Sequence, residues 1–363
     1  MAKQPVMNVT FWGVRGSVPA PLTTRQIHEK QSALIQRIMK DGGTKKLFGA
    51  SPAPEAIEEY LSSLPASLSG TYGGDTTCVE VQVAESPLII IDAGTGIRHL
   101  GREILRRLFA KEHINPLCSD EHTRHDLHLF FTHFHWDHLQ GFPFFAPGFL
   151  SGVNRMNVHF YGRKTAQQHL SDVLSGQQEC PNFPVAWEDM PCVRFDHELK
   201  RLERTAIQVG AATVTYQELT HPDSIFAYAI EAEGRKFTFA TDTEHKSVPD
   251  TRLINLAKGS SILYYDSQYT PQEYVGAKGS LTGVIPKFDW GHSTYEWAVK
   301  TALCADIPSV ILGHHEPTRN DFQLEELLAA ALEFRDTQLA LAENKGKKLT
   351  IQLARDGHVE VLL

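Results

Sequence analysis

Hydrophobic residues in this chain come in short runs, broken by Gly, Pro and Asp, and the runs alternate between strand and helix periods. Alternation over residues 7–12 predicts a first strand. The Leu-Phe-Phe core of 127–131 predicts a buried one. Residues 78–83 and 88–92 predict a hairpin around Glu85-Ser86-Pro87, and a strand is expected at 158–161. Strands at 206–209, 214–219, 226–233 and 236–240 predict a second sheet; another at 262–265 ends at Asp266, one at 310–313 precedes His314, and two more lie near Thr350 and Val359.

Helical spacing appears elsewhere. Ile27, Leu34, Ile35, Ile38 and Met39 share a face over 24–40, with Asp41-Gly42-Gly43 as a stop; 54–64 predicts a second short helix. Helices are also expected over 97–111, with Ile104, Leu105 and Leu108 inward, and over 165–174, 294–304 and 322–341. The segment through Pro181, Pro184 and Pro191 reads as loop. No repeat or linker divides the chain, so 1–363 is expected to be one domain with a helical insertion at about 22–70. An insertion of that length fits either a helical hairpin packed on the body or a lid or dimer arm, the latter admitting a homodimer.

Composition adds exclusions. The 363 residues carry a net charge of −8, which gives no bulk attraction to nucleic acid, so strong nucleic-acid binding is not expected. The five cysteines (78, 118, 180, 192 and 304) are odd in number and form no CxxC pair, which argues for reduced thiols and a cytoplasmic setting. No run approaches the roughly 18 apolar residues of a membrane span, so no membrane partner is expected.

The chemistry concentrates in Thr132-His133-Phe134-His135-Trp136-Asp137-His138. It follows the 127–131 strand and precedes Gly141, Pro143 and Pro147, which open a loop. His133 and His135 are two apart and can point the same way off an extended backbone. Imidazole and carboxylate are ligands for zinc and its first-row neighbours. His122, His125 and His128 lie outside this pattern and are expected to be solvated. The Phe142-Pro143-Phe144-Phe145 cluster is expected in the core, with base stacking as the other use.

His-x-His-x-Asp-His after a hydrophobic strand resembles the signature of the metallo-β-lactamase superfamily. The resemblance implies an α/β, four-layer αβ/βα sandwich, which the two β-rich halves fit. It also implies further ligands at later strand ends, in the order His, Asp, His. His221 follows the 214–219 strand, Asp242 follows 236–240, and His314-His315 follows 310–313. By resemblance, His133, His135 and His221 hold one divalent metal, Asp137, His138 and His314 the other, and Asp242 bridges. Zinc is the expected metal, with manganese the other candidate. The pattern favours His314 over His315.

Trp12-Gly13-Val14-Arg15-Gly16-Ser17, Tyr72-Gly73-Gly74-Asp75-Thr76 and Asp92-Ala93-Gly94-Thr95-Gly96 resemble the ribonuclease Z-like branch of that superfamily, which contains phosphodiesterases of small or cyclic nucleotides. Asp75 stands where that branch usually has Asn. Gly291-His292-Ser293-Thr294 resembles the branch's His-x-Thr motif. It implies that His292 assists the leaving oxygen, that Asp266 orients His292, and that Ser293 and Thr294 open a helix facing the phosphate. Asp137 then orients a metal-bridging hydroxide for attack on a small phosphodiester or nucleotide. Ribonuclease Z holds tRNA on a basic arm; here residues 139–220 mix Arg155, Arg163, Lys164, Lys200, Arg201 and Arg204 with Glu188-Asp189. The competing readings are a thioesterase or lactonase using the same metals, and an RNA-processing endonuclease.

Overall fold

The computed structural model describes residues 4–51, 53–117, 125–163, 169–200 and 206–363. The expected start of a helix at 165–168, and His122, lie outside the described residues.

Two seven-stranded sheets pack face to face. One holds β1 (Met7–Gly13), β2 (Cys78–Val83), β3 (Leu88–Ile91), β4 (Asp126–Phe130), β5 (Asn157–Arg163), β6 (Val193–Leu199) and the last strand, β14 (Val359–Leu362), in the order β14-β1-β2-β3-β4-β5-β6. The other holds β7 (Ile207–Val209), β8 (Ala212–Leu219), β9 (Ile225–Ala232), β10 (Arg235–Ala240), β11 (Ile262–Asp266), β12 (Ser309–Gly313) and β13 (Thr350–Leu353), in the order β13-β12-β11-β10-β9-β8-β7. The chain end thus returns to pair β14 antiparallel with β1.

Helices α1 (Thr24–Lys40), α2 (Gly43–Phe48), α3 (Pro54–Ser62) and α4 (Ala66–Ser69) build the insertion. Helices α5 (Ile97–Phe109) and α6 (Leu170–Gly176) cover the first sheet; α7 (Thr251–Ala257), α9 (Tyr295–Cys304) and α10 (Asp321–Leu339) cover the second, and α8 (Pro271–Tyr274) is a single turn between β11 and α9.

Strand β4 shows why its sequence is a continuous apolar run. Leu127, Leu129 and Phe131 turn outward onto the helical layer, among Leu100 and Ile104, while Phe130 turns inward between the sheets. Both faces are covered, so alternation disappears. Phe11, Tyr228, Phe237, Phe239 and Tyr264 fill the middle layer with Phe130. Each fully buried side chain of this size stabilises by about 1.5–3 kcal/mol.

The same pleat corrects the expectation for His128. It shares the inward face with Phe130, is buried, bonds the Tyr161 hydroxyl through Nδ1 at 3.0 Å, and stacks on His159 at 4.4 Å. Burial lowers its pKa to about 3. Strand β6 follows the expected loop and has no strand signal of its own, because it is an edge strand whose Arg194, Asp196 and Glu198 interrupt the apolar pattern. Phe144 departs from its core cluster: Phe142 and Phe145 are buried, but Phe144 is exposed.

The insertion is tied to the body through α10. Lys30 pairs with Asp321, and the Ser67 N–H donates to Glu325 at 3.0 Å. No residue of α1 or α3 is buried, and Ile35 and Met39 are exposed.

Candidate metal centre

Strands β10, β11 and β12 run parallel, with Ala240 beside Tyr265 and Asp266 beside Gly313. Their C-terminal ends therefore meet at one edge, where loops of parallel strands carry ligands. Asp242, Asp266 and His314 occupy those ends. Strands β3 and β4 are likewise parallel and deliver Asp92 and the 132–138 segment to the same edge. The Phe226 N–H donates to the Thr132 carbonyl at 2.9 Å and joins the two sheets there.

Two clusters form. His133, His135, His221 and Asp242 present ligand-type atoms within 4.8 Å of one another; so do Asp137, His138, Asp242 and His314. Asp242 belongs to both. His221 Nε2 is 3.1 Å from His135 Nδ1, and His133 Nε2 is 3.7 Å from Asp242 Oδ1. His138 Nε2 is 3.3 Å from both Asp137 Oδ2 and Asp242 Oδ2; His314 Nε2 is 3.3 and 3.2 Å from the same atoms. His315 points away and bonds the Ala354 carbonyl at 2.9 Å, which separates it from its neighbour.

Acceptor-only partners fix how the imidazoles face. His138 Nδ1 donates to Asp92 at 2.8 Å, His221 Nδ1 to the Gly291 carbonyl at 3.1 Å, and His314 Nδ1 to Gln268 Oε1 at 2.9 Å. The Thr132 hydroxyl donates to Asp92 and lies 3.0 Å from His133 Nδ1. Each of these four rings is left with Nε2 turned inward, the nitrogen available to a metal. Asp92 stood inside a recognised motif, but nothing in the sequence marked Gln268, the Gly291 carbonyl or Thr132 as supports.

Backbone geometry is pressed into service. Asp92, Asp242 and His314 have φ of 61°, 47° and 55°. Such left-handed conformations are uncommon for non-glycine residues and cluster at functional sites. The Gly13–Pro19 turn closes on the second cluster: the Ser17 N–H donates to Asp137 Oδ2 at 2.8 Å, and a Cβ on Gly16 would stand 2.5 Å from the His314 ring. Gly291, at φ 89°, lies against His221 so tightly that a Cβ would come within 1.9 Å of Nδ1. Glu244 holds that segment, accepting from the Asp289 N–H at 2.8 Å, the Gly291 N–H at 3.1 Å and the Tyr274 hydroxyl at 2.6 Å.

The clusters fit cations on three counts. The Nε2 atoms of His133 and His138 are buried without a hydrogen bond, which is costly unless something else binds them. Donors about 2.0–2.1 Å from a tetrahedral metal stand roughly 3.3 Å apart, the spacing found here. Without metal, protons fill the need. Burial opposes charge on His138, yet Asp137 and Asp242 outweigh it and push the pKa well up; His314 rises to about 9 against the same opposition, chiefly through Asp242. Burial likewise resists ionisation of Asp137, but His138 holds its carboxyl far below the usual range. His221 falls to about 4 through burial and stays neutral.

His292 stands beside the second cluster, its ring 5.0 Å from that of His314. Its Nδ1 is 2.9 Å from Asp266 Oδ2. Ser293 and Thr294 follow His292 into α9. Both are buried; the Ser293 N–H donates to Asp266 at 3.2 Å and its hydroxyl lies 2.9 Å from His245 Nδ1. Asp266 thus serves both the His292 ring and the Ser293 backbone. Thr294 is the N-cap of α9 by backbone position only. Asp75 is 3.0 Å from His99 Nε2.

Known proteins are similar to this chain in sequence or in fold. A ribonuclease Z of Brevibacillus brevis is 25% identical over 257 residues, spanning 58% of this chain and 76% of that protein. The fold of yeast PDE1 superposes with a TM-score of 0.55 at 12% identity, covering 99% of this chain and 100% of that one. A diphosphatase from the PhnP family superposes at 0.53 with 18% identity, covering 98% and 99%. The profile of the beta-lactamase superfamily domain matches residues 88–315, which carry every candidate ligand. The chain belongs to that superfamily and is a metal-dependent hydrolase that uses divalent metal ions.

Proposed function

We propose that this chain is a binuclear phosphodiesterase acting on a small or cyclic nucleotide, with His133, His135, His221 and Asp242 holding one metal and Asp137, His138, Asp242 and His314 the other. The observation that carries the reading is the Asp266–His292 pair at the edge of the clusters. A thioester expels a thiolate that leaves without a proton, whereas the ribose alkoxide of a nucleotide diester needs one.

Two divalent ions, zinc or manganese, would supply Lewis acidity and an acidified water. The protein's own groups do the rest. Asp137, steadied by the Ser17 N–H, is placed to accept a hydrogen bond from the attacking water. With Nδ1 committed to Asp266, His292 has Nε2 to offer a proton to the leaving ribose oxygen. Asp266 fixes that tautomer and stabilises the imidazolium.

The similarity to a ribonuclease Z favours an RNA-processing endonuclease as the second reading. Against it stand the net charge of −8 and the mixed charge of residues 139–220. One screen separates the classes: metal-loaded protein against bis-p-nitrophenyl phosphate, cyclic mononucleotides, cyclic dinucleotides, a tRNA precursor, a thioester and a lactone. Turnover of the nucleotides above the others is the expected result. Turnover of only the thioester or lactone overturns the proposal, and preference for the tRNA precursor selects the second reading.

A further inference from the structure

We infer that the lip formed by residues 275–290 carries the nucleobase subsite, with the outer face of Trp290 as the stacking platform and Lys287 beneath it biasing the subsite toward anions. This rests on the nucleotide reading above and adds which part of the substrate is recognised, and by what.

The lip enters the site directly. Trp290 precedes Gly291, whose carbonyl holds His221, and lies two residues before His292. The Glu244 carboxylate pins this end of the lip through Asp289 and Gly291, so Trp290 is presented from a fixed backbone. The residue is 48% exposed.

Lys287 explains which way the indole is used. The lysine is only 4% exposed. Its ammonium sits 4.3 Å from the Trp290 ring centroid and 5.9 Å from that of Tyr269, and it makes one long bond to the Thr282 carbonyl at 3.4 Å. Among the described residues no carboxylate lies within 4.0 Å of it. A buried charge without a counter-ion is costly, and cation–π contact recovers only part of that cost. One face of Trp290 is thus taken by the cation, and the exposure of the residue leaves the other as the face a ligand would use. Tyr269 in turn touches His292, with ring centroids 6.0 Å apart, so the unpaired positive charge stands one phenol ring from the proposed acid. A flat ring joined to an anionic group suits this pair of features, and a nucleotide, whose neutral base is tethered to a phosphate, is such a ligand. Aromatic stacking accepts any base, so the subsite selects nucleotides as a class.

The test uses the full metal-loaded chain with adenosine 5′-monophosphate and ribose 5-phosphate as probes, by calorimetry and by quenching of tryptophan emission. The nucleotide is expected to bind roughly tenfold tighter than the sugar phosphate, the size of one base stack. W290A should erase that difference. K287M should weaken both probes and flatten their salt dependence, while K287R retains both. W290F should abolish the quenching by adenosine 5′-monophosphate even if W290A folds poorly. Equal affinity of the wild-type chain for the two probes overturns the inference, as does quenching that survives in W290F. Either failure leaves the phosphodiesterase reading intact if the substrate screen succeeds. Base-selective binding without phosphodiester turnover overturns that reading and leaves the subsite standing.

Discussion

Asp92 Oδ2 stands 2.8 Å from His138 Nδ1, and the same oxygen accepts the Thr132 hydroxyl at 2.9 Å. One buried carboxylate therefore orients an imidazole in the second cluster and, through Thr132, another in the first. Loss of such an outer partner typically costs 10–100-fold in metal affinity. D92N isolates the chemistry, because asparagine tolerates the left-handed backbone at this position. Chelator competition should show weakened metal binding of that order with an unchanged fold. Wild-type affinity in D92N would remove Asp92 from the metal site.

Elemental analysis of purified protein should approach two transition metals per chain, and D242A should lose both, since Asp242 lies in both clusters. Dialysis against a chelator should abolish turnover and re-addition of zinc or manganese should restore it. Full activity in a metal-free preparation would exclude metal dependence. Retention of one metal in D242A would show that Asp242 serves only one cluster.

H292A should keep its metals and lose ~10²–10⁴ in kcat on a cyclic nucleotide, the usual worth of general acid help. It should lose far less on bis-p-nitrophenyl phosphate, whose phenolate leaves without a proton. D266N should follow in milder form, because the Nδ1 partner is weakened and not removed. Equal losses on both substrates would make His292 a phosphate binder, and no loss on either would return the function to carbonyl hydrolysis.

Asp356 offers a pH test away from the metals. Burial raises its carboxyl from 3.8 to about 7; Oδ2 accepts the Gly74 and Asp75 N–H groups, and Oδ1 is buried without a partner. The folded state holds this proton more tightly than the unfolded chain. Its stabilising contribution is therefore complete below 3.8 and is lost as pH rises through about 7. D356N removes the penalty while its amide oxygen can still accept both N–H groups. Its Tm should exceed that of wild type at pH 8, with the gap closing toward pH 4. The same gap at both pH values would show that Asp356 does not titrate in this range.

The metal cluster was legible because its ligands are tied to strand ends that leave a local signature. An apolar run followed by His or Asp marks β4, β8, β10 and β12, whatever the rest of the fold does. The choice between His314 and His315 was not local. It depends on a left-handed turn at His314 that sends one imidazole to the carboxylates and the next to the Ala354 carbonyl.

What the sequence determined by itself was periodicity, hence most strands and helices, and the residue types able to ligate metal. Only the tertiary structure decided which polar groups stand behind them. Gln268 on His314, the Gly291 carbonyl on His221 and Glu244 on Gly291 are contacts across 46, 70 and 47 residues. Such contacts arise from strand order and parallel register, so no window of sequence contains them. His128 makes the same point from the other side. Its polarity suggests solvent, but it is buried on the inward face of β4 beside Tyr161 and His159 of β5. Burial depends on what packs opposite a residue, and that is set by the whole chain.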